Sequence, residues 1–225
     1  MVKIMRRILP EEGILYFGDS GRLPYGTRPP EQVRSFTRQI LRFLAGRGIK
    51  AAVIACNTAS AASLPALAEE FPFPLLGMIQ AGARAALAAT HRGEVAVMAT
   101  PGTVASGAYV RALVEMAPGV RVHQQGCADL PALVERGAEA AAVEVAVRAC
   151  LAPLLSLSFD VLLLGCTHFP FLRDVIRRVV GPGIALVDPA EELVDELVRV
   201  LDERGRRRAT APPGPAGPAA SADLA

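Results

Sequence analysis

The chain has 225 residues, 52% of them hydrophobic and 20% charged, which is long enough for one large domain or two small ones with a true buried core. Its 24 Lys and Arg against 22 Asp and Glu leave a formal charge of +2, so no strongly charged partner is implied and binding to nucleic acid or to a membrane surface is not expected. The longest apolar stretches are broken by Pro153, Asp160 or polar residues well before the roughly 20 residues that a bilayer span requires.

In chain order, residues 13–18 read as a strand, 30–47 as a helix, 51–55 as a strand and 59–70 as a helix. A short strand follows at 75–79, then a helix at 81–90, a strand at 94–99 and a helix at 104–115. A strand at 121–124, helices at 130–136 and 138–155, a strand at 160–164 and a helix at 171–180 complete the body, before a last strand at 185–187 and a helix at 189–203. Alternating strands and helices predict an α/β fold with parallel sheets and right-handed crossovers. Residues 205–225 turn to Arg, Pro, Gly and Ala without periodicity and read as a disordered tail. The basic cluster at 204–208 has no interleaved aromatic residue on which a base could stack.

Four cysteines, Cys56, Cys127, Cys150 and Cys166, form no Cys-x-x-Cys pair and follow no secretory signal. That pattern favours neither a disulfide framework nor a zinc site, and points to a reducing cytoplasm. Two of them occupy matching places. Cys56 ends the apolar run Ala51-Ala52-Val53-Ile54-Ala55 and precedes Asn57-Thr58, while Cys166 ends Val161-Leu162-Leu163-Leu164-Gly165 and precedes Thr167-His168. Such runs read as buried parallel strands, whose carboxyl ends are where ligands bind. The repeated strand-Cys-helix unit suggests two similar α/β lobes with a site between them.

Either cysteine alone could equally be a small buried hydrophobe. Together they suggest two thiols that approach one carbon from opposite faces, one removing a proton and the other returning one. Unpaired backbone N–H groups at the strand-to-helix turns would favour a thiolate or hold a carboxylate, and Asn57, Thr58 and Thr167 add side-chain donors there. His168 lies two residues beyond Cys166 and could tune it. His91 and His123 lack such company and read as surface or structural residues. Spacing alone makes Glu135 a solvated helix end or an acid reaching the cleft. Tyr25-Gly26 reads as a turn or a ligand contact, and Thr100 and Thr103 as candidate cleft residues.

Several segments together, Tyr16-Phe17-Gly18-Asp19-Ser20-Gly21, Pro24-Tyr25-Gly26, Ala55-Cys56-Asn57-Thr58-Ala59-Ser60 and Leu164-Gly165-Cys166-Thr167-His168, resemble the bacterial glutamate racemase family. Ala99-Thr100-Pro101-Gly102-Thr103-Val104 and Leu133-Val134-Glu135-Arg136-Gly137 resemble further family segments, so the likeness runs from about residue 3 to residue 203. It implies two pseudo-symmetric lobes, 1–80 plus 189–204 and 81–188, with parallel sheets flanked by helices and the active site between them. It also implies cofactor-independent interconversion of L- and D-glutamate in the cytoplasm, without pyridoxal phosphate or metal, for peptidoglycan synthesis and cell shape, by a homodimer.

On that resemblance Cys56 and Cys166 exchange the α-proton, Glu135 and His168 assist Cys166, and Tyr25, Gly26, Asn57, Thr58, Thr103 and Thr167 hold the amino acid. Family members usually begin with a strand leading into an Asp-Ser-Gly turn whose Asp assists the first thiol. Here Val2 resembles the start of the helix that follows it, so the natural product is expected to extend upstream by about 15–20 residues. Asp19 belongs to the second family motif and is not assigned that role. A related aspartate racemase and a form retaining only binding remain alternatives, whereas a cysteine hydrolase needs one nucleophile and an oxyanion site.

Overall fold

The structure, a computed structural model, describes residues 1–209. In chain order it contains α1 (Val2–Ile8), α2 (Pro30–Ala45), β1 (Ala52–Ile54), α3 (Asn57–Leu67), β2 (Leu75–Gly77) and α4 (Met78–Ala89). There follow β3 (Glu94–Ala99), α5 (Pro101–Ala105), α6 (Ala108–Met116), β4 (Arg121–Gly126), α7 (Leu130–Glu135) and α8 (Ala140–Leu155). The chain closes with β5 (Val161–Gly165), α9 (Arg173–Val180), β6 (Ala185–Val187) and α10 (Ala190–Glu203).

Among the described residues the strands form two parallel sheets, one of two strands in the order β1-β2 and one of four in the order β4-β3-β5-β6. Every residue of β3 and β5 is buried, as expected of parallel strands covered on both faces. Alternate residues serve opposite layers. Ala96, Met98, Leu162 and Leu164 meet Leu130 of α7, Val143, Val147 and Leu151 of α8 and Ile176 of α9. Val95, Val97, Ala99, Val161 and Leu163 meet Ile79 and Ala83 of α4 and Tyr109 and Leu113 of α6. The smaller sheet is covered by α10, whose Leu193, Val194 and Leu197 pack on Leu76 and Met78, and by α2, whose Leu41 packs with Ala52, Leu67 and Phe73.

This is the α/β class with parallel sheets and flanking helices that the alternation predicts. Three elements differ. Residues 13–18 are not a strand: among the described residues no strand lies alongside them to pair their backbone, and Leu15, Tyr16 and Phe17 stay exposed. The helix expected over 104–115 is two helices, because Gly107 takes a left-handed φ of 62° that stops α5 and starts α6. The helix expected from 171 begins with a 3-10 turn, Phe169–Leu172, around Pro170, and α9 starts only at Arg173.

The reading of the cysteines is corrected as well. Cys127 and Cys150 form a disulfide with their Cα atoms 5.8 Å apart. A sequence separation of 23 residues concealed the pair, which is brought together because α8 packs against the end of β4. Of the tail, residues 210–225 lie outside the described residues. Among the described residues, no helix is long and apolar enough to cross a membrane.

Candidate active site

In the larger sheet the chain steps from β3 outward to β4 on one side and returns to β5 on the other. The carboxyl ends of β3 and β5 therefore flank a topological switch point, where α/β folds open a crevice. Thr100 follows β3 there and Cys166 follows β5. Cys56 stands in the same relation to β1, with extended backbone as the N-cap of α3 and its Sγ accepting from the Ala59 N–H at 3.5 Å.

The two sheets are joined at this end by side chains from both. The hydroxyls of Thr58, Thr100 and Thr103 form a closed triangle with sides of 2.7, 3.1 and 3.0 Å, all three residues being buried. Gly26 lies against it so closely that a Cβ there would sit 2.7 Å from Thr100 Cβ, and one on Gly102 would meet the Gly26 carbonyl oxygen at 2.8 Å. Glycine at both positions is thus a packing requirement, and it brings the backbone at Tyr25-Gly26 up to the threonines. Tyr25 shares an apolar cluster with Cys56, Val33 and Ile54, and its hydroxyl donates to the Asp19 carboxylate. Asp19 is also paired with Arg22 at 3.5 Å, so its charge is spent locally rather than on Cys56.

Cys166 is 7% exposed, and its Sγ lies 3.5 Å from His168 Nδ1, while His168 Nε2 lies 2.6 Å from Glu135 Oε1. A carboxylate can only accept, so the Nε2 proton points at Glu135 and the Nδ1 lone pair faces the thiol. His168 is thereby oriented as a base for Cys166. Glu135 is the side chain that the helix pattern alone would leave in solvent. It is largely exposed, yet it closes this relay. Thr167 sits half-buried between the two relay residues in sequence.

Helix-end N–H groups were expected to favour thiolates, but burial outweighs them. Burial pushes the Cys56 thiol up despite bonds from the Ala59 and Thr58 N–H groups and the Thr58 hydroxyl. Burial, with a smaller contribution from the Cys56 sulfur, pushes the Cys166 thiol up to about 12 against the His168 and Phe169 N–H groups. A raised thiol pKa leaves the neutral form in place, so both sulfurs are protonated at neutral pH. Alkylation of Cys166 by iodoacetamide is therefore expected to lag behind free cysteine at pH 8 and to climb about tenfold per pH unit beyond pH 9. A rate at pH 7 equal to that of free cysteine, read by peptide mass spectrometry, would refute this.

The structure also brings in residues that the sequence did not single out. Tyr109, fully buried on α6, donates its hydroxyl to Asn57 Oδ1 at 2.5 Å. No motif marks it, since a tyrosine at that spacing reads as helix core. Among the described residues no cluster of three His, Cys, Asp or Glu side chains could hold a metal ion.

A parallel α/β fold with two free thiols at the ends of matching strands, one of them backed by an imidazole–carboxylate pair, defines an enzyme built for proton transfer at carbon. The chain belongs to the Asp/Glu/Hydantoin racemase family, whose model matches residues 1–197. It is 45% identical over 203 residues to the glutamate racemase of Lactiplantibacillus plantarum, covering 90% of this chain and 74% of that protein. A solved glutamate racemase of Bacillus anthracis superposes with a TM-score of 0.89 at 40% identity, covering 92% of this chain and 78% of that one. Another, from Francisella tularensis in complex with D-glutamate, gives a TM-score of 0.87 at 32% identity, covering 93% and 79%.

Proposed function

We propose that this protein is a glutamate racemase, an amino-acid isomerase that interconverts L- and D-glutamate with Cys56 and Cys166 as the two proton-transferring groups. The observation that carries this reading is the pair of free thiols at the ends of β1 and β5, with the His168–Glu135 pair behind Cys166. In each direction one sulfur, as thiolate, takes the α-proton: the Cα–H bond breaks, an S–H bond forms and the electron pair delocalises into the substrate carboxylate. The opposing thiol then delivers its own proton to the other face of Cα. His168 takes the Cys166 proton when that residue must act as base, with Glu135 stabilising the imidazolium formed, and Cys56 gives its proton to solvent water before it acts as base in the opposite direction.

Asn57, Thr58, Thr103, Thr167 and the backbone at Tyr25-Gly26 are assigned to holding the amino acid. The lobes comprise 1–80 with 189–204, and 81–188, and the protein works in the cytoplasm as a homodimer, supplying D-glutamate to peptidoglycan synthesis. The test is α-proton exchange in deuterated water followed by NMR. L- and D-glutamate should each lose the α-proton signal, with loss of optical purity at a matching rate. Aspartate in place of glutamate as the better substrate, or no exchange by folded protein, would overturn the assignment.

A further inference from the structure

The largest fully buried side chain at the junction of the two sheets is that of Tyr109, and nothing in the proton-transfer scheme uses it. Its ring is wedged between two backbones. A Cβ on Gly82 would lie 2.8 Å from its hydroxyl oxygen, and one on Gly165 would lie 3.1 Å from its ring edge. Gly165 immediately precedes Cys166, and the tyrosine hydroxyl bonds Asn57, which immediately follows Cys56. One side chain therefore touches the turns that carry both thiols.

The hydroxyl has a single proton to donate. Asn57 Oδ1 at 2.5 Å takes it, with the Met78 carbonyl oxygen a distant second at 3.4 Å. So short a contact suits O–H···O geometry, in keeping with the carboxamide oxygen facing the tyrosine. Asn57 is 2% exposed, and its Nδ2 has no hydrogen-bond partner among the described residues. A buried donor left unpaired is costly, and it is relieved when a ligand supplies the acceptor. Burial, together with the charges of Asp188 and Cys166, pushes the Tyr109 phenol far above its usual range, so it remains a donor throughout turnover.

We propose that Tyr109 is a positioning residue of this site: by holding Asn57 Oδ1 it turns the carboxamide N–H groups toward the bound amino acid, as acceptor-seeking donors for a substrate carboxylate. The inference rests on the racemase reading and deepens it. Asn57 is the group that meets the substrate, and Tyr109 acts through it.

Tyr109→Phe keeps the ring between Gly82 and Gly165 and removes only the donor. Steady-state racemisation in both directions should show KM for each enantiomer raised about tenfold, as one hydrogen bond to a charged group is misdirected, with kcat changed less than about threefold. The melting temperature should stay within a few degrees. Asn57→Ala should raise KM by a similar factor, and adding Tyr109→Phe to it should raise KM no further, because the second change has nothing left to orient. Unchanged KM in Tyr109→Phe, or full additivity in the double variant, overturns the proposal. If wild-type protein exchanges no α-proton, the racemase reading fails instead. Calorimetric binding of D-glutamate to the same four proteins then applies the same criteria, and absence of binding to the wild type overturns both.

Discussion

Replacing Cys166 with alanine is expected to abolish inversion of either glutamate enantiomer, with a loss in kcat on the order of 10²–10⁴-fold or more, and Cys56→Ala should do the same. Inversion requires one sulfur to remove a proton and the other to deliver one, so neither half suffices. The variants should fold normally. Cys166 packs beside Phe169 and Leu130, and a change to alanine leaves only the space of one sulfur. The outcome that would sink a two-thiol mechanism is racemisation surviving in Cys56→Ala, which would point to a single acid–base group. A circular-dichroism assay run from both L- and D-glutamate reads this directly. The two variants should also differ in pH response, since only Cys166 has an imidazole at 3.5 Å and a carboxylate behind it.

The second large effect concerns stability. Breaking the Cys127–Cys150 bond, with its separation of 23 residues, should cost about 3 kcal/mol through the entropy returned to the unfolded chain. For a protein of this size that corresponds to a fall in Tm of about 6–12 °C. Cys150→Ser should show the fall in scanning calorimetry, and adding a dithiol reductant to wild-type protein should reproduce it once the bond is opened. A variant and wild type that melt together, with free thiols counted at both positions, would remove the bond from the folded protein in solution. Cys127 is only 3% exposed whereas Cys150 is partly exposed, so an attacking thiolate reaches the bond from the Cys150 side.

Much of the fold was legible because its signals are local. The strand expected at 94–99 is β3 to the residue, and the apolar runs before Cys56 and Cys166 are β1 and β5. Buried parallel strands write themselves as uninterrupted Val, Ile, Leu and Ala, which needs no knowledge of a partner. Residues 13–18 carry similar letters yet form no strand, because a strand exists only where another backbone lies beside it. The break at Gly107 was missed for a different reason: a single glycine inside a helical pattern is tolerated as often as it terminates one.

The site divides along the same line. The thiols, His168 and the threonines are nominated by short motifs that bring hydrogen-bonding residues to strand ends. Tyr109 and the Cys127–Cys150 bond are not, since each is defined by contacts spanning many residues: 52 between Tyr109 and Asn57, and 23 between the two cysteines. The rise of the thiol pKa values was invisible for a related reason. Turn chemistry can be read from neighbours in sequence, but desolvation is the sum of everything packed around a sulfur.

Burial of β3 and β5 on both faces sets how firmly one thiol is held. Their amides should exchange with solvent only through global unfolding, so Cys166, which directly follows β5, should keep its place until the whole protein melts.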